Sequence, residues 1–148
     1  AEGRPMLPSA YDLCLETPSL ADYQCLHAEA GLTPFDEVAA QAGLPGTFVG
    51  VLVRCDGQAV GMGRVSGDGG LFFQLTDIAV LPAHQGRGLG KAIVGALVRE
   101  LAARLNAPAY VSLVADGQAS ALYSQYGFAP VAPSSQGMAM WLSPASGG

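Results

Sequence analysis

The 148-residue chain has few charged side chains, and basic ones are especially scarce. Only 13% of its residues are charged, and 7 lysines and arginines accompany 12 aspartates and glutamates, which gives a net charge of −5. With so few basic side chains, nucleic acid is not an expected partner. The 50% hydrophobic content excludes a disordered chain and predicts one domain with its own core.

The chain also lacks long hydrophobic runs. None approaches the roughly 18 residues that a membrane span needs, so no membrane partner is expected. Residues 1–9 contain a lone Arg4 and two prolines without a hydrophobic stretch, which predicts a flexible leader rather than a signal peptide. We expect a single domain over residues 10–142, a flexible tail over residues 143–148 and a cytoplasmic location.

Cysteine and histidine are rare as well. Cys14, Cys25 and Cys55 are odd in number and show no C-x-x-C spacing, so we expect small buried hydrophobic side chains in a reducing compartment. His27 and His84 are the two histidines, and acidic residues do not cluster, so no metal site is expected. We expect His27 at the surface or at a helix cap.

Hydrophobic periodicity and turn residues predict a mixed α/β domain in the order β-α-α-β-β-β-α-β-α-β-β. Asp56-Gly57 predicts a hairpin turn, and apolar residues at four-residue steps predict the longest helix. The predicted strands are 11–16, 48–55, 59–66, 71–80, 109–115, 128–132 and 138–142. The predicted helices are 20–30, 35–42, 87–105 and 118–126.

The most informative segment is Gln85-Gly86-Arg87-Gly88-Leu89-Gly90-Lys91, between a predicted strand and the longest predicted helix. Unpaired N–H groups at a helix N-terminus, together with glycines, favour a bound phosphate. A Walker A loop would need Gly at 85 and Ser or Thr at 92, and a dinucleotide loop would need Gly at 91. The chain has Gln85, Ala92 and Lys91 there, which excludes both. A turn that only caps the helix is the alternative.

The pattern Q-x-x-G-x-G resembles the acyl-CoA pyrophosphate loop of the GNAT family of N-acetyltransferases. A second segment, Asp116-x-x-Ala119-x-x-Leu122-Tyr123-x-x-x-Gly127-Phe128, is similar to another motif of that family. The resemblance covers about residues 10–142. It implies a mixed, mostly antiparallel central sheet flanked by helices, with a splayed strand pair, 71–80 and 110–114, that holds acyl-CoA.

The resemblance implies acetyl-CoA as acyl donor and no metal. Arg87 and Lys91 would add charge near the phosphates or lie on a solvated helix surface. Asp116 stands where the family has Asn, and a carboxylate cannot donate a hydrogen bond, so a helix-capping role is the alternative. The implied cofactor-binding residues are Ile78, Ala79, Val80, Gln85, Gly86, Arg87, Gly88, Leu89, Gly90, Lys91, Asp116 and Ala119.

Tyr123 matches the family's general acid, which would protonate the departing thiolate; simple packing is the alternative. The family's usual basic Glu is replaced by Gln74, and Thr76 occupies a second family position for Glu. Asp77 is the acid of this strand, as base or as a structural residue, although alternation places it opposite Gln74, Thr76 and Ile78 unless a bulge intervenes. Deprotonation of the amine through a water chain, or capture of an amine that is already neutral, would also replace a basic side chain. Gln74 would orient the substrate.

The expected function is therefore direct transfer of the acetyl group to a primary amine of a small molecule or peptide. The rivals are a non-catalytic CoA-binding domain and a transferase of a longer acyl group. Segments 20–42 and 130–137 would set acceptor specificity, with Glu29, Asp36 and Glu37 either attracting a cationic amine or forming a solvated face. Because many members of the family dimerise, a homodimer is one expected assembly.

Overall fold

The computed structural model describes residues 7–117 and 119–145. Most of the predicted leader, the predicted helix start at Gln118 and the end of the predicted tail lie outside these ranges. The strands are β1 (Tyr11–Cys14), β2 (Val49–Cys55), β3 (Gln58–Gly67), β4 (Phe72–Val80) and β5 (Tyr110–Ser112). The α-helices are α1 (Leu20–Glu29), α2 (Glu37–Gly43), α3 (Leu89–Arg104) and α4 (Ser120–Ser124).

The described residues form one five-stranded sheet in the order β1-β2-β3-β4-β5. The first four strands are antiparallel, and β5 pairs in parallel with the beginning of β4, from Phe72↔Tyr110 to Gln74↔Ser112. β4 then continues to Val80 while β5 ends at Ser112. The two strands therefore part in the middle of β4, and the expected mixed, mostly antiparallel sheet flanked by helices is confirmed.

Helix α3 packs on one face of the sheet against β2, β3 and β4. Its predicted apolar row, Leu89, Ile93, Leu97 and Leu101, is buried. Gly63 on β3 allows this close approach, because a Cβ there would stand 2.6 Å from Cγ2 of Ile93. Helix α1 packs against β3 and β4 and buries Tyr23, Leu26 and His27.

Several element boundaries differ from the predicted ones for local reasons. Helix α2 begins at Glu37 rather than at residue 35 because the Asp36 carboxylate caps it by accepting the Val38 N–H at 2.8 Å. Helix α3 begins at Leu89 rather than at residue 87 because Gly88 has φ of +82°, which is not helical. Cys25 is exposed, so the expectation that all three cysteines are buried is wrong.

The two C-terminal strands, predicted at 128–132 and 138–142, do not form in the described part of the chain. A strand needs a neighbour that pairs its backbone N–H and C=O groups, and β5 offers only three paired residues. Residues 128–145 instead run over the surface without helix or strand. The large apolar side chains Met138, Met140, Trp141 and Leu142 are exposed there.

Candidate active site

A cleft of about 350 Å³ opens where β4 and β5 part. One wall is the middle of β4, and the facing wall comes from the chain that follows β5 and from α4. The loop after α1 closes the third side with Phe35. The lining residues are His27, Leu32, Thr33, Phe35, Gln74, Leu75, Thr76, Asp77, Ile78, Leu113, Val114, Asp116, Ala119 and Tyr123.

Asp77 sits at a β-bulge in β4. The register runs from Arg64↔Thr76 to Met62↔Ala79, so Gly63 faces two residues of β4, and Asp77 adopts a left-handed conformation with φ of +56°. The bulge turns its carboxylate to the face of the sheet that α1 covers. Simple alternation therefore fails here, and Asp77 lines the same cleft as Gln74 and Thr76.

Three donors surround the Asp77 carboxylate. Arg64 Nε lies 2.9 Å from Oδ2, His27 Nε2 lies 2.7 Å from Oδ1, and the Tyr23 hydroxyl donates to Oδ1 at 3.1 Å. The side chains of Asp77, His27 and Arg64 are only 6%, 6% and 13% exposed, so this is an interior cluster. Burial, and then the Asp77 charge, raise the pKa of Tyr23, so its hydroxyl stays protonated and donates.

His27, Arg64 and Tyr23 were not among the residues that sequence reasoning selected. The expectation that His27 lies at the surface or at a cap is wrong, because it is 5% exposed and contacts Asp77. A signal was present in helix α1: Tyr23, Leu26 and His27 are spaced i, i+3 and i+4, which places them on one face. That spacing predicts that this face of α1 is buried. The contact of His27 with Asp77 on β4 depends on the bulge, which the spacing does not reveal.

Tyr123 lies on α4 and reaches the cleft from the wall opposite Asp77. Burial, and secondarily the neighbouring Asp116 carboxylate, raise the pKa of this phenol above its usual range. Its ring also packs edge-on against Phe128 at 6.2 Å between centroids. No side-chain hydrogen bond caps α4; the Asp116 carbonyl accepts the Ala119 N–H at 3.1 Å.

The glycine-rich segment forms an open turn at the N-terminus of α3. Gly86 and Gly88 have φ of +78° and +82°, a region that favours glycine, and a Cβ on either would meet nothing within 4 Å. The Gln85 amide donates to the carbonyl of Val80 at 3.0 Å, which ties the turn to the end of β4. The first N–H groups of α3 therefore face an unobstructed space suited to an anion.

Arg87 is exposed, and its side chain is engaged with β1. Its guanidinium donates to the Tyr11 hydroxyl at 2.7 Å, and that hydroxyl lies 2.7 Å from Nδ1 of His84. Lys91, in the first turn of α3, is exposed. The expected charge near the phosphates thus has two possible sources, of which the Arg87 side chain is already engaged with β1.

The edge of β4 that borders the cleft is open beyond Gln74. Ala79 and Val80 pair with Met62 and Gly61 of β3 on the other side, and β5 pairing ends at Gln74. In the described part of the chain, the main chain from Ile78 to Val80 therefore has no neighbouring strand on the cleft side, and its Val80 carbonyl is bonded to the Gln85 amide. This edge leads directly to the glycine-rich turn.

Other expectations concern residues outside the cleft lining. Glu29, Asp36 and Glu37 are exposed; Asp36 caps α2, and Glu37 accepts from Gln24 at 3.4 Å. Among the described residues, no group of three or more His, Cys, Asp or Glu could hold a metal ion. No helix in the same ranges is long and apolar enough to cross a membrane.

A model of the acetyltransferase (GNAT) domain matches residues 47–130, more than half of the chain. The chain therefore belongs to the GNAT family of acetyltransferases. That match includes β4, the glycine-rich turn, Asp77, Asp116 and Tyr123. The matched range also covers the part of β4 that borders the cleft and the residues of its facing wall from Leu113 to Tyr123.

Two chloroplast proteins of Arabidopsis thaliana are similar in sequence. GCN5-related N-acetyltransferase 2 is 41% identical over 69 residues, and GCN5-related N-acetyltransferase 3 is 45% identical over 53 residues. The matches cover 47% and 36% of this chain but 26% and 22% of the two relatives. The chain thus spans about a quarter of the length of the curated relatives that it matches.

Solved structures share the whole fold. SA2161 of methicillin-resistant Staphylococcus aureus, a probable acetyltransferase, is 37% identical with a TM-score of 0.83, covering 89% of this chain and 99% of that one. A GNAT family acetyltransferase of Brucella melitensis in complex with acetyl-CoA has a TM-score of 0.63 at 20% identity, covering 81% and 83%. The latter supports the fold alone.

Proposed function

We propose that this protein is an N-acetyltransferase that transfers the acetyl group of acetyl-CoA directly to a primary amine of a small molecule or peptide. One observation carries the proposal. A single cleft joins a protonated phenol, Tyr123, to a buried polar cluster around Asp77, and the open edge of β4 leads from that cleft to the anion-binding turn.

The acyl donor fits this arrangement by its chemistry. CoA carries a pyrophosphate, which suits the N–H groups of residues 86–91, and a pantetheine arm with two amides, which suits the edge of β4 at Ile78, Ala79 and Val80. The donor's thioester then lies in the cleft, next to Asp116, Ala119 and Tyr123. We assign Gln85 to holding the turn on β4, since its amide is bonded to Val80.

Tyr123 is the proposed general acid. When the C–S bond of the thioester breaks, the sulfur gains an electron pair, and a phenol O–H within reach protonates it. Burial and the Asp116 charge keep this phenol in its protonated form at neutral pH, because both raise its pKa. Gln74, exposed on β4 and lining the cleft, is proposed to orient the acceptor.

Direct transfer is preferred to an acyl-enzyme route. A covalent route through a cysteine thiolate needs that side chain in the cleft, and the cleft lining contains no cysteine among the described residues. Cys14 and Cys55 lie on β1 and β2, and Cys25 lies on the exposed side of α1. Holding amine and thioester together in one cleft lowers the entropic cost of their encounter.

The test is thiol release from acetyl-CoA with a broad panel of primary amines. We expect amine-dependent release, and Tyr123→Phe should lower turnover by about 100-fold or more with little change in acetyl-CoA affinity. Tyr110→Phe, an equivalent change on the exposed edge strand, is the matched control. Binding of CoA without acetylation of any amine would favour a non-catalytic CoA-binding domain. A preference for a longer acyl thioester would favour a transferase of a longer acyl group.

A further inference from the structure

The acceptor amine must lose a proton during the transfer, so a nearby group must accept that proton. The residues around Asp77, namely His27, Arg64 and Tyr23, include one such group. Asp77 itself is poorly suited to collect the proton. Its carboxylate already accepts from three donors and is paired with the Arg64 cation, so its lone pairs are largely used. His27 differs, because only one of its two ring nitrogens is engaged.

The Asp77 contact fixes the tautomer of a neutral His27. An ionised carboxylate has no proton to donate, so the 2.7 Å contact requires that Nε2 carry the proton and leaves Nδ1 as a lone-pair acceptor. Nδ1 is buried and has no hydrogen-bond partner among the described residues.

A buried acceptor without a partner costs about 1–3 kcal/mol, so Nδ1 calls for a partner, and a substrate that enters the cleft can supply one. The imidazole lines the cleft opposite Tyr123. Phe35, on the loop between α1 and α2, packs edge-on against it at 5.9 Å between centroids and lines the same cleft. Phe35 is 47% exposed and also packs on Trp141 at 5.1 Å between centroids, and we take it to be the side chain that an entering acceptor moves to reach Nδ1.

We propose that Nδ1 of His27 is the general base of the transfer and that Asp77 is the residue that positions it. This inference rests on the proposed function and names a group for its unassigned proton step. His27 contacts substrate in this account, whereas Asp77 acts through His27 by fixing the tautomer and by stabilising the imidazolium that forms.

The step balances with the groups already named. The amine nitrogen attacks the thioester carbonyl, a C–N bond forms, and one N–H proton passes to Nδ1 of His27. The C–S bond breaks, its electron pair goes to sulfur, and Tyr123 gives that sulfur its proton. The products are an amide and a free thiol, and one proton passing through solvent from His27 to Tyr123 restores both side chains.

The experiment measures kcat/KM against pH with an amine that the wild-type protein acetylates. His27→Gln keeps a donor for Asp77 but has no basic nitrogen. It should lower kcat/KM by about 100- to 10,000-fold and abolish the loss of activity that His27 protonation causes at low pH, with acetyl-CoA affinity retained. The charged and titratable groups facing this pair are Arg64 on β3, Tyr23 on α1, and Asp116 and Tyr123 across the cleft.

Tyr23→Phe is the comparison variant, because it removes a neighbour of Asp77 and leaves the imidazole. The Tyr23→Phe variant should still lose activity at low pH, as the wild type does, even if its turnover is lower. A wild-type pH profile in His27→Gln, or the same altered profile in both variants, would overturn the assignment. Absence of any acetylation by the wild-type protein would instead refute the proposed function.

If His27→Gln does not fold, nitrogen NMR of the wild-type protein decides. The sequence has only two histidines, so His84→Asn identifies the His27 signals. The proposal requires a neutral His27 that carries its proton on Nε2 and titrates together with the low-pH loss of activity. A proton on Nδ1 in the neutral form would contradict it.

Discussion

Replacing Arg64 by methionine tests whether the buried cluster stabilises the fold that holds the cleft. Arg64 donates to Asp77 at 2.9 Å and to the Thr47 hydroxyl at 2.6 Å. The change leaves the Asp77 carboxylate, 6% exposed, without its cation. Breaking a buried pair on one side costs about 3–5 kcal/mol, because the remaining charge cannot be solvated.

The left-handed conformation of Asp77 is also held by this cluster. A non-glycine residue with positive φ stores about 1–3 kcal/mol and persists only where its surroundings hold it. We therefore expect Arg64→Met to lose at least about 3 kcal/mol of unfolding free energy and roughly 10 °C in Tm, given about 2–4 °C per kcal/mol for a chain of this size. Urea unfolding of the ligand-free protein measures it.

Arg54→Met is the matched control. Arg54 pairs with Glu16 at 2.8 Å, nearly the distance of the buried pair, but the two side chains are 34% and 44% exposed. Water and salt screen such a pair, so its loss should change stability little. Equal losses in the two variants would refute the reasoning that burial makes the Arg64 pair important.

Two further predictions concern the donor side of the cleft. Asp116→Asn removes a negative neighbour of Tyr123 and so lowers the pKa of the Tyr123 phenol. Because this acid must be protonated to act, activity should fall at a lower alkaline pH than in the wild type. An unchanged alkaline limb would contradict this role. Gly88→Ala forces a Cβ into a left-handed position, which should cost about 1–2 kcal/mol in urea unfolding and weaken acetyl-CoA binding in calorimetry; an unchanged affinity would remove the turn from the binding site.

The turn and α3 could be predicted because their signals are local. Glycine at positions 86 and 88 favours the left-handed backbone of the turn without help from distant residues. The apolar row from Leu89 to Leu101 has helical spacing that is visible in the sequence. Tyr123 follows from a motif at fixed spacing. The sequence alone therefore predicted the turn and the helix, and it selected a candidate anion site and a candidate acid.

The proposed base, His27, could not be predicted from the sequence because its position depends on tertiary structure. The bulge at Asp77 arises from the register between β3 and β4, which no local pattern encodes, and it reverses the face that alternation assigns. His27 becomes an interior residue only when α1 covers that face. The strands predicted at 128–132 and 138–142 failed for a related reason, since β propensity forms a strand only where a partner pairs with it.

The central claim is that the cleft between β4 and β5 transfers acetyl groups to amines. The most direct measurement mixes the wild-type protein with acetyl-CoA and a panel of primary amines, and follows free thiol and acetylated amine together. The account predicts that both products form in equal amounts and only when an amine is present. Tight binding of acetyl-CoA with no amine-dependent thiol release across the panel would contradict it.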